Sequence, residues 1–150
     1  MLIRSAVQGA VAGALATGAM TTAFEVGSRK AFRRQPPKHV VRAFLSRGGS
    51  SDKPRKGEDA ATVMAHMGFG ITTGALFGVL TGRRRPARSL GVAYALAVMF
   101  VGYQGWAPGI GALPPLTRDR PSRIASLTAA HLIYGWTLAT TLRRLRSRTR

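Results

Sequence analysis

Residues 60–82 read AATVMAHMGFGITTGALFGVLTG, from Ala60 to Gly82, and hold no Asp, Glu, Lys or Arg in 23 positions. A helix needs about 20 mostly apolar residues to cross roughly 30 Å of hydrocarbon. In hydrocarbon each backbone N–H and C=O must be satisfied within its own segment, so a helix is the expected form. The charged residues stop abruptly on both sides, at Asp59 and at Arg83-Arg84-Arg85. Three further uncharged windows exist: Ser5 to Phe24, Ser89 to Thr117 and Ile124 to Leu142. All 28 charged residues fall outside the four windows, although the chain has only 150 residues and a net charge of +18.

This segregation sets the fold class: an all-α, polytopic membrane protein with four transmembrane helices in a single domain, residues 1–150. The spans are expected at about 2–27, 59–81, 89–106 and 122–142. Pro108, Gly109, Gly111, Pro114 and Pro115 close the third window as a loop, and Ser122 is the expected N-cap of the fourth helix. A soluble nucleic-acid-binding bundle would also be basic, but its helices would carry charged faces. No nucleic-acid partner is therefore expected. The first window could alternatively be read as a signal peptide, but it exceeds the usual apolar length of about 7–15 residues. The absence of cysteine excludes disulfides and thiolate chemistry.

The loop over 28–58 is basic. Within it Val40, Val41, Phe44 and Leu45 recur at helical spacing after Pro36-Pro37, which predicts a short interfacial helix at about 37–47. A weak internal repeat joins Ala65-His66 with Phe69-Gly70 to Ala130-His131 with Tyr134-Gly135. It suggests two repeated helical hairpins related by an axis along the membrane normal. Charge density near helix ends favours cytoplasmic N- and C-termini in a bacterial inner membrane.

Two sets of residues stand out for packing and lipid contact. Gly9 and Gly13, then Gly70, Gly74 and Gly78, form GxxxG ridges, with His66 four residues before Gly70, and His131 leads a third, His131-Gly135-Ala139. Small residues let helix backbones approach closely, either within one chain or in a homo-oligomer or with a membrane-complex partner. Arg83, Arg84, Arg85, Arg143, Arg144 and Arg146 are expected to meet anionic lipid head groups, at about 1 kcal/mol per charge. Tyr94, Tyr103, Trp106, Tyr134 and Trp136 read as aromatic anchors, with Tyr103 and Trp106 at an interface.

Glu25, His66 and His131 are the ionisable residues expected within or at the edge of the spans. Both histidines sit six or seven residues into their helices, about 10 Å below the surface at 1.5 Å per residue. Glu25 closes the first helix on the same side. Together they form a candidate proton or divalent-metal site. The plainer alternative is that each histidine bonds a neighbouring carbonyl or hydroxyl. No cofactor is otherwise expected. No catalytic constellation is present, with neither a P-loop, HExxH, GxSxG nor a dinucleotide fingerprint, so enzymatic activity is not expected.

The run Gly9-Ala10-Val11-Ala12-Gly13-Ala14-Leu15-Ala16-Thr17, then Glu25, Pro36-Pro37 and the two histidines each followed by glycine, resembles the YagU-like family of small bacterial inner-membrane proteins. That family has no established biochemical role, so the resemblance implies membrane residence alone. The sequence thus points to a structural or accessory membrane component. The alternative is a small transporter or channel-like protein using Glu25, His66 and His131.

Overall fold

The computed structural model describes residues 2–31, 58–106 and 118–147. Among these residues every regular element is helical, with no strand. Helix α1 runs Leu2–Ala31, α2 Glu58–Leu80, α3 Arg88–Val101 and α4 Pro121–Ser147. A π-helical turn, Gly102–Trp106, continues α3. The surface helix expected at 37–47 lies outside the described residues.

Each boundary has a local cause. Helix α1 continues past the expected end at Gly27, because Ser28 to Ala31 include no helix breaker and the first proline is Pro36. Helix α2 stops where Gly82 takes φ +54°, a left-handed conformation that glycine adopts without a Cβ clash. Gly82 N–H then donates to Val79 O at 3.0 Å. Ala87 is extended, with ψ 148°, and α3 begins directly after it. In α4 the expected N-cap is displaced: Pro121 takes the first helical position, where its missing N–H costs nothing. Ser122 is inside the helix, and the Arg120 carbonyl accepts from Arg123 N–H at 2.9 Å and Ile124 N–H at 3.2 Å.

Helices α1 and α2 form an antiparallel hairpin, as do α3 and α4. The two hairpins join mainly through α1 against α4. Ser5 Oγ donates to Gly82 O at 3.1 Å, so the start of α1 lies beside the end of α2. Arg146, near the end of α4, bonds the same region. The start of α1, the α2–α3 connection and the end of α4 therefore share one end of the bundle.

The core mixes small residues with a few large ones, Met20, Phe77, Tyr134, Leu138 and Leu142. Ala12, Ala16, Ala95 and Ala139 are fully buried, with Thr17 and Leu138 beside them. The large apolar side chains mostly face outward: Val7, Val11 and Leu15 on α1, Val63, Met64 and Leu76 on α2, Phe100 and Val101 on α3, Leu132 and Trp136 on α4. Among the described residues one stretch, Ala60–Leu80, is long and apolar enough to cross a membrane by length and composition. Only 22% of its most apolar window is buried, whereas a soluble core helix would bury most of such a stretch.

Candidate functional site

The α1–α2 seam is backbone against backbone. A Cβ added at Gly9 would lie 2.8 Å from Gly78 Cα, and one at Gly74 would lie 2.6 Å from Gly13 Cα. At Gly70 it would strike the Thr17 side chain. The ridge Gly70-Gly74-Gly78 therefore meets Gly9 and Gly13 within one chain. Gly135 holds the matching place in the second hairpin, where an added Cβ would lie 2.7 Å from Val92 Cα. Gly68 and Gly18 have open space instead.

A polar network ties the second hairpin to α2. Tyr134 Oη donates to Gly70 O at 2.8 Å and lies 3.0 Å from Thr73 Oγ1. With the Tyr134 proton on Gly70 O, Thr73 Oγ1 is the donor in that contact, sharing its proton with Phe69 O at 2.9 Å. Tyr94 Oη donates to Thr73 O at 2.7 Å, and its ring lies 4.9 Å from that of Phe77. Hydroxyls from α3 and α4 thus converge on one turn of α2. The expectation that Tyr94 and Tyr134 are surface anchors is corrected by these contacts; Tyr134 is 5% exposed. A buried phenol keeps its place by reaching a carbonyl. The sequence held a signal: Ala130, Tyr134, Leu138 and Leu142 recur every four residues, and all are buried. Likewise Tyr94 falls three residues after the buried Gly91.

His66 and His131 are both partly buried, on two helices tied by the Tyr134–Gly70 hydrogen bond. His131 Nδ1 donates to Leu127 O at 2.8 Å, one turn earlier in its own helix, which leaves Nε2 with a lone pair in the neutral ring. The Glu25 side chain lies outside the described residues. Its backbone position follows from the α1–α2 register: Thr17 opposes Gly70, so Glu25 falls about one turn nearer the loop than His66. Among the described residues no group of three His, Cys, Asp or Glu is placed to hold a metal.

At the opposite end from Ser5 and Arg146, Tyr103 donates to Asp119, and Asp119 lies 3.3 Å from Arg123 Nη1. Asp119 Oδ1 also accepts from Arg120 N–H at 2.6 Å. Tyr103 is consequently 4% exposed, buried on its own acid partner rather than anchored at an interface. This carboxylate ties the π-helical turn to the start of α4.

The other end of the bundle is arginine-rich. Arg146 is only 5% exposed, which overturns its expected place among lipid head groups. Its Nη2 donates to Gly78 O at 2.9 Å and its Nη1 to Thr81 Oγ1 at 3.0 Å and to Arg84 O. The carbonyls ending α2 have no intrahelical donors, and the guanidinium fork supplies them while its charge opposes the negative end of the helix dipole. Burial holds the Arg146 pKa below its ordinary value, yet an arginine keeps its proton at neutral pH. Arg146 falls one turn beyond Leu142 on the buried row of α4, a signal hidden by its neighbours in a basic tail.

The remaining arginines differ. Arg83, Arg84, Arg85 and Arg144 are exposed; Arg143 is half-buried and donates to Pro86 O at 3.2 Å. Arg88 Nε donates to Thr140 Oγ1 at 3.3 Å, and its guanidinium carbon lies 5.1 Å from the Trp136 ring centroid. Arg85, Arg88, Arg143 and Arg144, with Thr140 and Ser147, line a shallow cleft of about 190 Å³.

These features define a helical bundle of two glycine-seamed hairpins, with a tyrosine tie through its middle and an arginine-capped end. Comparison with known proteins gave no match among family models, curated proteins or solved structures. The resemblance to YagU-like proteins thus rests on the residues quoted for it.

Proposed function

We propose that this chain is an integral membrane protein that crosses the bacterial inner membrane four times and serves there as a structural or accessory component, without catalysis. One observation carries this reading: the helix seams are lined with glycine and alanine, and most large apolar side chains, among them Val11, Leu15, Leu76, Phe100 and Leu132, face outward, although Phe77, Leu138 and Leu142 are buried. A water-soluble bundle gains most of its stability by placing the large apolar groups inside. In lipid that gain is absent, and helices associate through close backbone packing and interhelical hydrogen bonds. The glycine seams and the Tyr134–Thr73–Gly70 tie supply both. The arginine-rich end faces the cytoplasm in this reading, by the charge density near its helix ends.

The absence of cysteine makes the test direct. Single cysteines are introduced and probed with a membrane-impermeant maleimide. Val11→Cys, Leu76→Cys and Leu132→Cys stay unlabelled in intact membranes. Arg85→Cys labels only when the cytoplasmic face is open, and Ser50→Cys and Ala112→Cys label from the other face. Rapid labelling of Leu76→Cys and Val11→Cys without detergent would refute the four-span reading.

A second reading has one observation in its favour. His66 and His131 are both half-buried on helices tied by the Tyr134–Gly70 bond, and His131 keeps one ring nitrogen for a ligand. With a third ligand this pair would suit a proton relay or a divalent metal in a small transporter. Proton flux in proteoliposomes and metal content of the purified protein, each compared with His66→Ala and His131→Ala, decide it. Equal values in all three proteins rule it out.

A further inference from the structure

The cleft at the arginine-rich end has a composition that the structural role does not use. It is lined by four guanidinium groups, Arg85, Arg88, Arg143 and Arg144, and two hydroxyls, Thr140 and Ser147. No Asp or Glu occurs in α3, in the final turns of α2 and α4, or in the connection between α2 and α3. Among the described residues the cleft thus concentrates positive charge with no Asp or Glu in its lining. Its volume of about 190 Å³ is below the roughly 300–1,000 Å³ of a site that encloses a whole small molecule. It suits a head group whose remainder lies elsewhere.

The surface beside the cleft says where that remainder goes. Leu132, Trp136, Thr140 and Arg144 follow one another every four residues and form one row along α4. Arg144 and Thr140 line the cleft, while Trp136 is 52% exposed and Leu132 41% exposed. Eight residues from Thr140 to Leu132 span about 12 Å at 1.5 Å per residue. The row therefore changes from cationic, through hydroxyl and indole, to purely apolar. Leu90, at 50% exposure, adds apolar surface on α3 near Arg88. Two cleft arginines are already oriented: Arg88 by Thr140 and the Trp136 ring, Arg143 by the Pro86 carbonyl. Each still has unused guanidinium donors, since arginine offers five.

We propose that this cleft binds the phosphate of an anionic glycerophospholipid, with Arg85, Arg88, Arg143 and Arg144 on the phosphate oxygens and an acyl chain lying along Trp136 and Leu132. Arginine forks match phosphate geometry with paired hydrogen bonds, and basic pockets between membrane helices suit such head groups. A free phosphate would use the cations but not the apolar row, and the amphipathic surface commits the site to lipid. This inference rests on the membrane reading above.

The test is lipid binding to the full chain in detergent, by native mass spectrometry, with phosphatidylglycerol, cardiolipin, phosphatidylethanolamine and inorganic phosphate as separate probes. Arg85→Gln/Arg144→Gln changes two exposed positions and is the main variant; Arg88→Gln/Arg143→Gln is the second. Arg118→Gln/Arg120→Gln removes the same charge at the other end of the bundle. Phosphatidylglycerol or cardiolipin is expected to bind wild type and control alike, and at least five-fold more weakly to both cleft variants, while phosphatidylethanolamine binds poorly throughout. Equal losses in the control would overturn the site, since only total charge would then matter. Displacement of the lipid by inorganic phosphate at equal concentration would overturn the lipid assignment. Alkaline extraction of membranes from the same cells reports the other reading separately: a chain that stays in the membrane but shows no variant-sensitive lipid loses the site alone, and a chain that washes off loses both.

Discussion

Arg146 carries more of the architecture than any other single side chain in the tail. It joins α4 to the last turn of α2 by one hydrogen bond and to the connection after it by two, and its Nε has no partner among the described residues. Arg146→Met keeps the aliphatic part of the side chain but removes the donor to the Gly78 and Arg84 carbonyls, while Thr81 Oγ1 still bonds Phe77 O at 2.7 Å. An unsatisfied buried polar group costs about 1–3 kcal/mol, so the midpoint of unfolding in a denaturing-detergent titration is expected to fall by that order. Arg146→Lys should recover only part of it, because an ammonium cannot span the same fork. Exposed Arg144→Gln leaves the midpoint nearly unchanged. At the bundle's centre, Tyr134→Phe removes the hydroxyl shared with Gly70 and Thr73. Hydrogen bonds between membrane helices average about 0.6 kcal/mol and reach about 1.7, and a loss within that span is expected in the same titration. A change larger than for Arg146→Met would place the weight of the bundle on the wrong contact.

At the scale of elements, the helices and the glycine seam were legible and their finer edges were not. The 23 residues of α2 match the expected span to within one residue at either end, because charge and Gly82 stop it on purely local grounds. Helix α4 instead runs five residues past Leu142. Its arginines form good helix, and packing of Arg146 holds the extra turn. The tyrosines depart from expectation for a related reason: a phenol suits both an interface and a buried tie, and its ring alone does not separate them. Glycine substitutions test the seam. Gly13→Val and Gly74→Val force a branched side chain against facing backbone and are expected to cost about 1–3 kcal/mol or more. Cross-linking between cysteines placed at Val7 and Leu80 should fall with them. Gly68→Ala meets open space and should be neutral or slightly stabilising, since alanine favours a helix over glycine by about 1 kcal/mol. Equal effects at Gly68 and Gly74 would mean the seam is not where the helices touch.

For the whole molecule, the arrangement brings the start of α1, the α2–α3 connection and the end of α4 to one side. Fluorescent proteins fused to either terminus should both report a cytoplasmic location under the four-span reading; opposite reports would break it. That arrangement also separates the two ends chemically. One has arginines without acids, and the other has Asp119 held between Tyr103 and Arg123. Asp119→Asn should leave the lipid binding proposed for the basic end intact while loosening the π-helical turn, read as faster amide exchange over Gly102–Trp106.

The sequence by itself determined that the described chain is helical, where charge is excluded from it, and which glycines could form ridges. These are properties of single segments: a run without charge, a period near four, a glycine before a cluster of arginines. Tertiary structure alone decided that Gly9 and Gly13 face Gly70, Gly74 and Gly78, that Tyr134 turns inward while Phe69 at the same motif position is 46% exposed, and that Arg146 leaves the basic tail for the helix end. Each of those outcomes depends on the register between helices joined by long connections. A hydroxyl or guanidinium is committed only when a neighbouring helix offers it a carbonyl.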